Sequence, residues 1–254
     1  MDLGLAGRVY VVSGGSRGLG RATAEVLVAE GARVVLGARD EAGVERAAQQ
    51  LGGAAHAVAV TADLGTAAAA QRLVEAARSA YGGLDGALVS VGGPPPGTAL
   101  DTDEDAWRAG FESVFLGALR LTRQVAGAVG PDGGSIALVL STSVRSPIPG
   151  LAVSNGLRPG LAGIAKTLAT ELGPRNVRVN GLMPGRIATD RIAELDAATG
   201  DPAAAQARFL AGIPLGRYGD PAEFGRVAAF VLSPAASYLT GSMVTVDGGA
   251  LPTW

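Results

Sequence analysis

The stretch Val9-Tyr10-Val11-Val12-Ser13-Gly14-Gly15-Ser16-Arg17-Gly18-Leu19-Gly20 joins a β-branched apolar run directly to a glycine-rich turn. The Ala-, Val- and Leu-patterned segment that follows it is typical of a helix that comes straight after a buried parallel strand. The glycines permit a tight turn, and the free N–H groups at the start of the helix form an anion site suited to a pyrophosphate. An ordinary glycine-rich turn shows the same pattern, so the rest of the chain must decide between the two.

The composition indicates a folded protein and excludes several functions. The chain has 254 residues, is 48% hydrophobic and 17% charged, and carries a formal net charge of −2, which argues against a nucleic-acid surface. It has no Cys, and His56 is its only histidine, so disulfides, thiolate nucleophiles and Cys- or His-cluster metal sites are excluded. No apolar run is long enough to span a bilayer, and no signal-peptide pattern is found, so we expect a cytoplasmic protein without membrane partners.

Strand-like and helix-like segments alternate along the chain. The predicted strands are residues 8–13, 33–37, 55–60, 86–90, 135–141, 177–182 and 243–246. The predicted helices are residues 18–30, 41–51, 67–81, 103–129, 151–172, a broken stretch over 192–211, and 221–232. Strands separated by helices, with no adjacent hairpins, predict a doubly wound, mostly parallel seven-stranded α/β sheet with helices on both faces. No linker interrupts the pattern, so we expect one domain over residues 1–254.

In such a sheet, ligands lie beyond the carboxyl ends of the strands, so the residues after each strand are informative. Arg39 follows the second strand, where an acid would favour NAD(H), and Arg17 lies in the glycine turn itself. Two arginines near one site suit a 2′-phosphate and favour NADP(H) over NAD(H). Either arginine taken alone is equally consistent with a solvated surface charge.

The third and fourth strands are followed by two further candidates. Asp63 is placed to accept the amino group of an adenine, or to cap a helix that begins near Thr66. Gly92 permits close approach of the backbone to a ribose, whereas the prolines at 94–96 equally suit a rigid turn.

Several short segments follow one another in a characteristic order: Gly14-x-x-x-Gly18-x-Gly20, Asp63-Leu64, Val179-Asn180-Gly181-Leu182-Met183-Pro184-Gly185 with Thr189, and Val246-Asp247-Gly248-Gly249. With them the chain resembles the short-chain dehydrogenase/reductase family, especially its ketoacyl-reductase-like members. The resemblance implies a Rossmann-type fold, a nicotinamide cofactor and a small carbonyl or alcohol substrate. The cofactor-binding positions that it implies are Gly14, Ser16, Arg17, Gly18, Leu19, Gly20, Arg39, Asp63, Leu64, Gly92, Pro184, Gly185, Ile187 and Thr189.

The resemblance also implies a catalytic Ser-Tyr-Lys set with an Asn on the preceding helix, and this chain keeps only the serine. Ser141 stands at the serine position, Ser154 at the tyrosine position, Arg158 at the lysine position and Val114 at the asparagine position. Lys166 is the only lysine in the chain, and it belongs to a later turn of the helix because the downstream match has no gap. The candidate catalytic residues are therefore Ser141, Ser154 and Arg158.

This replacement bears directly on the chemistry. A serine hydroxyl is a far weaker acid than a phenol, and an arginine stays protonated to about pH 12, so neither reproduces the family's proton exchange. Losing a positioned general acid typically costs about 10²–10⁴ in rate. Arg158 still offers positive charge and N–H donors to a developing alkoxide or to a substrate carboxylate.

Three functions stay open at this stage. One is an oxidoreductase with a non-standard site, in which the serines or water relay the proton. Another is a pseudoenzyme that binds a dinucleotide as a regulatory or scaffold subunit. The last is a chain that has lost cofactor binding as well.

Two features bear on the helix that carries the candidate catalytic residues. Pro159 lacks an N–H and disfavours helical dihedrals at Arg158, so we expect the helix to begin or kink at Pro159. Gly156, Gly160 and Gly163 form a small-residue stripe. The family commonly pairs subunits through this helix, which implies a homodimer or homotetramer, although the glycines also suit packing within one chain. Residues 189–214 resemble the family's mobile substrate lid.

Overall fold

The computed structural model describes residues 1–253, and within them the strands form one parallel sheet. The strands are β1 (Val9–Ser13), β2 (Arg33–Ala38), β3 (Ala57–Thr61), β4 (Gly86–Val89), β5 (Gly134–Val139), β6 (Val177–Pro184) and β7 (Met243–Val246). Their order across the sheet is β3-β2-β1-β4-β5-β6-β7, and every neighbouring pair is parallel. The predicted seven-stranded, doubly wound fold is confirmed.

The helices cover the sheet between successive strands. They are α1 (Gly18–Ala29), α2 (Glu41–Gln50), α3 (Ala69–Tyr81), α4 (Glu104–Gly110), α5 (Gly117–Ala128), α6 (Ala152–Leu172), α7 (Asp190–Ala197), α8 (Pro202–Leu210) and α9 (Pro221–Leu232). The helix predicted over residues 103–129 is divided, because a π-helical segment, Phe111–Leu116, separates α4 from α5. Among the described residues no helix is long and apolar enough to cross a membrane.

Two apolar cores lie on opposite faces of the sheet. Along β1, Val11 belongs to one core, whereas Tyr10 and Val12 belong to the other. This alternation follows from the period of two in a strand, and burial on both faces explains why the strand sequences are apolar throughout. The sheet is therefore a rigid platform that fixes where each strand ends.

The helix predicted over residues 151–172 is present almost in full, and the alternative in which it begins at Pro159 is wrong. The helix begins at Ala152 and continues through Pro159 to Leu172. A proline inside a helix removes one hydrogen bond and crowds one carbonyl, but Val153 on one side and Leu161 and Ala165 on the other are all buried. Burial of this apolar face on both sides of Pro159 outweighs the local cost, so Arg158 lies on a continuous helix.

Candidate cofactor and active site

The middle of the sheet is the point where the connections diverge. β1 lies between β2 and β4, so the chain leaves β1 toward one edge of the sheet and leaves β4 toward the other. A crevice at the carboxyl ends of such strands is where doubly wound sheets bind their ligands. Ser13 clamps these two strand ends together, because its Oγ donates to the Ser90 carbonyl at 2.8 Å and accepts the Ser90 N–H at 2.9 Å.

The turn after β1 requires glycine. A Cβ on Gly20 would lie 2.3 Å from the carbonyl oxygen of Gly14, and the φ angles of Gly14 and Gly18 are 64° and 57°. Arg17 precedes α1 without capping it, and the N–H groups of Gly18, Leu19 and Gly20 have no protein acceptor within residues 1–253. These free donors and the positive end of the helix dipole fit a pyrophosphate.

The segment after β6 closes over this turn. A methyl carbon of Thr189 lies 3.7 Å from the place that a Cβ on Gly18 would take. Pro184 ends β6, Gly185 follows it with no room for a side chain, and Ile187 is buried. The structure therefore brings the predicted positions after β1 and after β6 to the same crevice.

The two arginines expected at a 2′-phosphate have different surroundings. Arg39 follows β2 and is exposed. The guanidinium of Arg17 instead faces the acids of α7, at 3.7 Å from Asp190 and 3.5 Å from Glu194, and its side chain is 66% exposed. Such exposed ion pairs are weak, so Arg17 is free to exchange these partners for a phosphate.

Asp63 closes a turn after β3. Its carboxylate accepts the Gly65 N–H at 2.9 Å, and its carbonyl accepts the Thr66 N–H at 2.9 Å. The alternative in which Asp63 caps a helix near Thr66 is wrong, because α3 begins only at Ala69. Leu64 beside it is half-buried. Residues 62–68 thus form a loop rather than a helical turn, since Asp63 and Thr66 hydrogen-bond locally.

Ser141 lies just beyond the end of β5, two residues later than Val139. It caps a short 3₁₀ segment, Thr142–Val144, and its Oγ accepts the Ser143 N–H at 3.0 Å. The hydroxyl proton of Ser141 is therefore not needed for this bond. Ser143 was not recognised from the sequence, yet its Oγ is the one buried side-chain oxygen or nitrogen without a hydrogen-bond partner in the described residues.

Arg158 is buried and points at the same strand end. Its Nη1 donates to the carbonyls of Val139 at 2.7 Å and Leu140 at 3.0 Å, the two residues that precede Ser141. Burial, and secondarily the charge of Arg191, lowers the pKa of Arg158 to about 10, so the guanidinium remains charged at neutral pH.

Ser154 and Val114 complete the catalytic positions. Ser154 is buried on α6, one turn before Arg158, so that the two side chains share one side of the helix. Val114 lies inside the π-helical segment, is 1% exposed and packs in the apolar core. π-Helical turns often mark functional sites, but Val114 offers no hydrogen bond here.

Arg191 is a site residue that sequence reasoning did not identify. It lies in α7, and its Nη2 donates to the carbonyl of Pro94 in the loop after β4 at 2.8 Å. The guanidinium lies against Gly93, where a Cβ would come within 3.2 Å of Nε. Gly93 therefore makes room for Arg191, whereas a Cβ on Gly92 would meet nothing within 4 Å.

A doubly wound parallel sheet with free N–H donors in the turn after its first strand defines a dinucleotide-binding scaffold. The family model described as "Enoyl-(Acyl carrier protein) reductase" matches residues 14–250. An uncharacterized oxidoreductase of Methylorubrum extorquens is 36% identical over 96% of this chain and 98% of its own length. Human dehydrogenase/reductase SDR family member 4 is 34% identical over 96% of this chain and 88% of its own length.

Solved structures give the same result. The L-sorbose reductase of Gluconobacter frateurii, complexed with NADPH and L-sorbose, superposes with a TM-score of 0.92 at 31% identity and full coverage of both chains. A short-chain dehydrogenase/reductase of Brucella melitensis does so with the same TM-score at 29% identity. The chain belongs to the short-chain dehydrogenase/reductase family of oxidoreductases, which bind a nicotinamide dinucleotide.

Proposed function

We propose that this protein is an NADP(H)-dependent reductase of a small carbonyl compound, with its active site at Ser141, Ser154 and Arg158. The observation that carries the proposal is the position of Arg158, which is bonded to the two carbonyls that lead into Ser141. A permanent positive charge is thereby held at the end of β5, one helical turn from the hydroxyl of Ser154.

In this proposal the cofactor, when bound, supplies the hydride that reduces the carbonyl carbon. Ser141 donates its free hydroxyl proton as a hydrogen bond to the substrate oxygen and orients it. Arg158 stabilises the negative charge that develops on that oxygen, as a fixed positive group does in a dry site. Ser154 then transfers its proton to the oxygen and recovers one from water.

The residues that would hold the cofactor lie along the crevice. The N–H groups of Gly18, Leu19 and Gly20 are proposed to bind the pyrophosphate, and Thr189 to contact the nicotinamide half. Arg39 and Arg17 are proposed to bind a 2′-phosphate, since a guanidinium matches phosphate geometry. The NADPH complex of the related L-sorbose reductase supports the same choice of cofactor.

The test is a paired measurement of NADPH binding and NADPH oxidation over a panel of ketones, ketoacyl thioesters and oxo acids. We expect binding and slow turnover, because the positioned phenol is absent and a general acid is worth about 10²–10⁴ in rate. Arg158→Met should abolish the turnover. The control is Arg145→Met, an exposed arginine just after the 3₁₀ segment, which should leave it unchanged.

The competing pseudoenzyme hypothesis predicts a different outcome. Tight NADPH binding without any turnover, together with activity gained by the combined change Ser154→Tyr, Arg158→Lys and Val114→Asn, would contradict the reductase proposal. Nothing in the structure favours this alternative. Absence of nucleotide binding in the titration would contradict both.

A further inference from the structure

Only part of the hydrogen-bonding capacity of the Arg158 guanidinium is taken up by protein acceptors. Nη1 makes both of its hydrogen bonds, whereas Nε and Nη2 have no acceptor within residues 1–253. In the described part of the chain the one fully enclosed side-chain polar atom without a partner is Ser143 Oγ, so these two nitrogens keep contact with solvent. No carboxylate of the described residues lies within 4.0 Å of Arg158. A buried charge in this state normally has a partner.

Arg191 adds a second positive charge beside the loop that follows β4, the strand next to β5. The bond from Arg191 to the Pro94 carbonyl pulls α7 onto the loop after β4. Its nearest acid, Glu194, is 3.8 Å away and is shared with Arg17 at 3.5 Å. The field of Arg191 reaches Arg158, because it contributes to lowering the pKa of that buried group. Arg158 at the end of β5 and Arg191 beside the loop after β4 thus place two guanidinium groups at neighbouring strand ends.

We propose that the physiological substrate is an oxo acid, whose carboxylate is held by Nε and Nη2 of Arg158 together with Arg191. A carboxylate accepts two parallel N–H bonds from a guanidinium edge, and its charge supplies the partner that the buried guanidinium of Arg158 lacks. With the carboxylate fixed, the neighbouring carbonyl oxygen of the substrate is directed toward Ser141 and Ser154. This inference rests on the reductase function proposed above and names the substrate class for the same site.

An anionic group at these arginines has a second source, the pyrophosphate of the cofactor. Arg191 follows Thr189, a proposed cofactor contact, by two residues. Its guanidinium could therefore bind a phosphate oxygen of the cofactor instead of a substrate carboxylate. The two sources, substrate carboxylate and cofactor pyrophosphate, predict different binding defects when Arg191 is removed. A carboxylate site weakens the binding of the oxo acid, whereas a phosphate site weakens the binding of NADPH.

The experiment compares straight-chain and aryl 2-oxo acids, each paired with its own 2-oxo amide, in the full-length protein with NADPH. We expect kcat/KM for the acid to exceed that for its amide by about 10–100-fold, the usual effect of a charge-assisted hydrogen bond. Arg191→Met should bring this ratio close to one, mainly through KM, and leave the Kd of NADPH unchanged. Arg208→Met, an exposed arginine of α8, is the matched control and should keep the ratio.

A second variant acts without removing a charge. Gly93→Val places a side chain where the guanidinium of Arg191 now lies, so it should lower the same ratio. An equal rate for acid and amide, or a loss of NADPH affinity in Arg191→Met, would overturn the carboxylate site.

A measurement of oxo-acid binding, made without turnover, tests the carboxylate site independently of the proposed reductase function. Thermal stabilisation of the NADPH complex by the oxo acid, but not by the amide, reports the site without turnover. If this stabilisation is seen and depends on Arg191 while no NADPH is consumed, the reductase proposal fails and the carboxylate site stands. If neither acid nor amide stabilises the complex, the carboxylate site itself is refuted.

Discussion

Arg39 is the residue on which the choice of cofactor depends most directly. It is exposed after β2, and no carboxylate within residues 1–253 forms an ion pair with it. A guanidinium bound to a 2′-phosphate makes charge-assisted hydrogen bonds that NADH cannot receive. We therefore expect Arg39→Ala to weaken NADPH binding by about 10–100-fold and NADH binding by less than about threefold. Fluorescence titration of both nucleotides measures the two constants.

The control for this change lies on the next helix. Arg46 is an exposed arginine of α2, and Arg46→Ala should alter neither constant. If Arg39→Ala weakened both nucleotides equally, or neither, Arg39 would be an ordinary surface charge. Arg17 would then remain as the candidate for phosphate binding.

At the scale of elements, α6 carries an internal cost that can be removed. Pro159 has no N–H, so the carbonyl of Asn155 one turn earlier lacks its helical donor. Pro159→Ala supplies that donor, and we expect the free energy of unfolding to rise by about 1–3 kcal/mol. The control is Gly127→Ala in α5, where a Cβ meets nothing within 4 Å. It should raise the free energy of unfolding by about 0.5–1 kcal/mol, the effect of helix propensity without new contacts. Urea unfolding measures both, and a destabilised Pro159→Ala would show that the packing of α6 requires the proline.

The elements themselves follow from local sequence patterns. The strands are apolar runs followed by glycine or polar residues. Each strand lies in the region that this pattern predicts. The boundaries were less accurate: β5 ends at Val139 rather than residue 141, and the region after Asp63 is a loop before α3. The range predicted for α6 is correct to one residue, and only the alternative start at Pro159 is wrong, because burial of Val153 and Leu161 on its two sides is a tertiary effect.

The candidate site was predicted in part. Its glycine turn is local in sequence, so Gly14, Gly18 and Gly20 could be placed from the motif alone. The partners of Arg158 are 18 and 19 residues away, and the bond from Arg191 to Pro94 spans 97 residues. No periodicity or propensity encodes such contacts, because they depend on how two loops meet above the sheet.

At the scale of the whole molecule, the glycine stripe of α6 divides into two parts. Gly156 and Gly160 serve packing within the chain, because a Cβ on them would lie 3.0 Å from the rings of Trp107 and Phe115. Gly163 is exposed and has nothing within 4 Å of its Cβ position. It is therefore the part of the stripe that a second subunit is free to approach.

We predict that the protein is a homo-oligomer and that Gly163→Arg dissociates it. Light scattering of the native protein should give two or four times the chain mass of 25.2 kDa, and the variant should give a lower multiple. A long charged side chain acts here because close approach of two helices needs small residues and excludes an unpaired charge. Gly83→Arg, at an open glycine in the loop between α3 and β4, should leave the mass unchanged. A native mass of one chain, or a Gly163→Arg variant with the native mass, would show that α6 is not the interface.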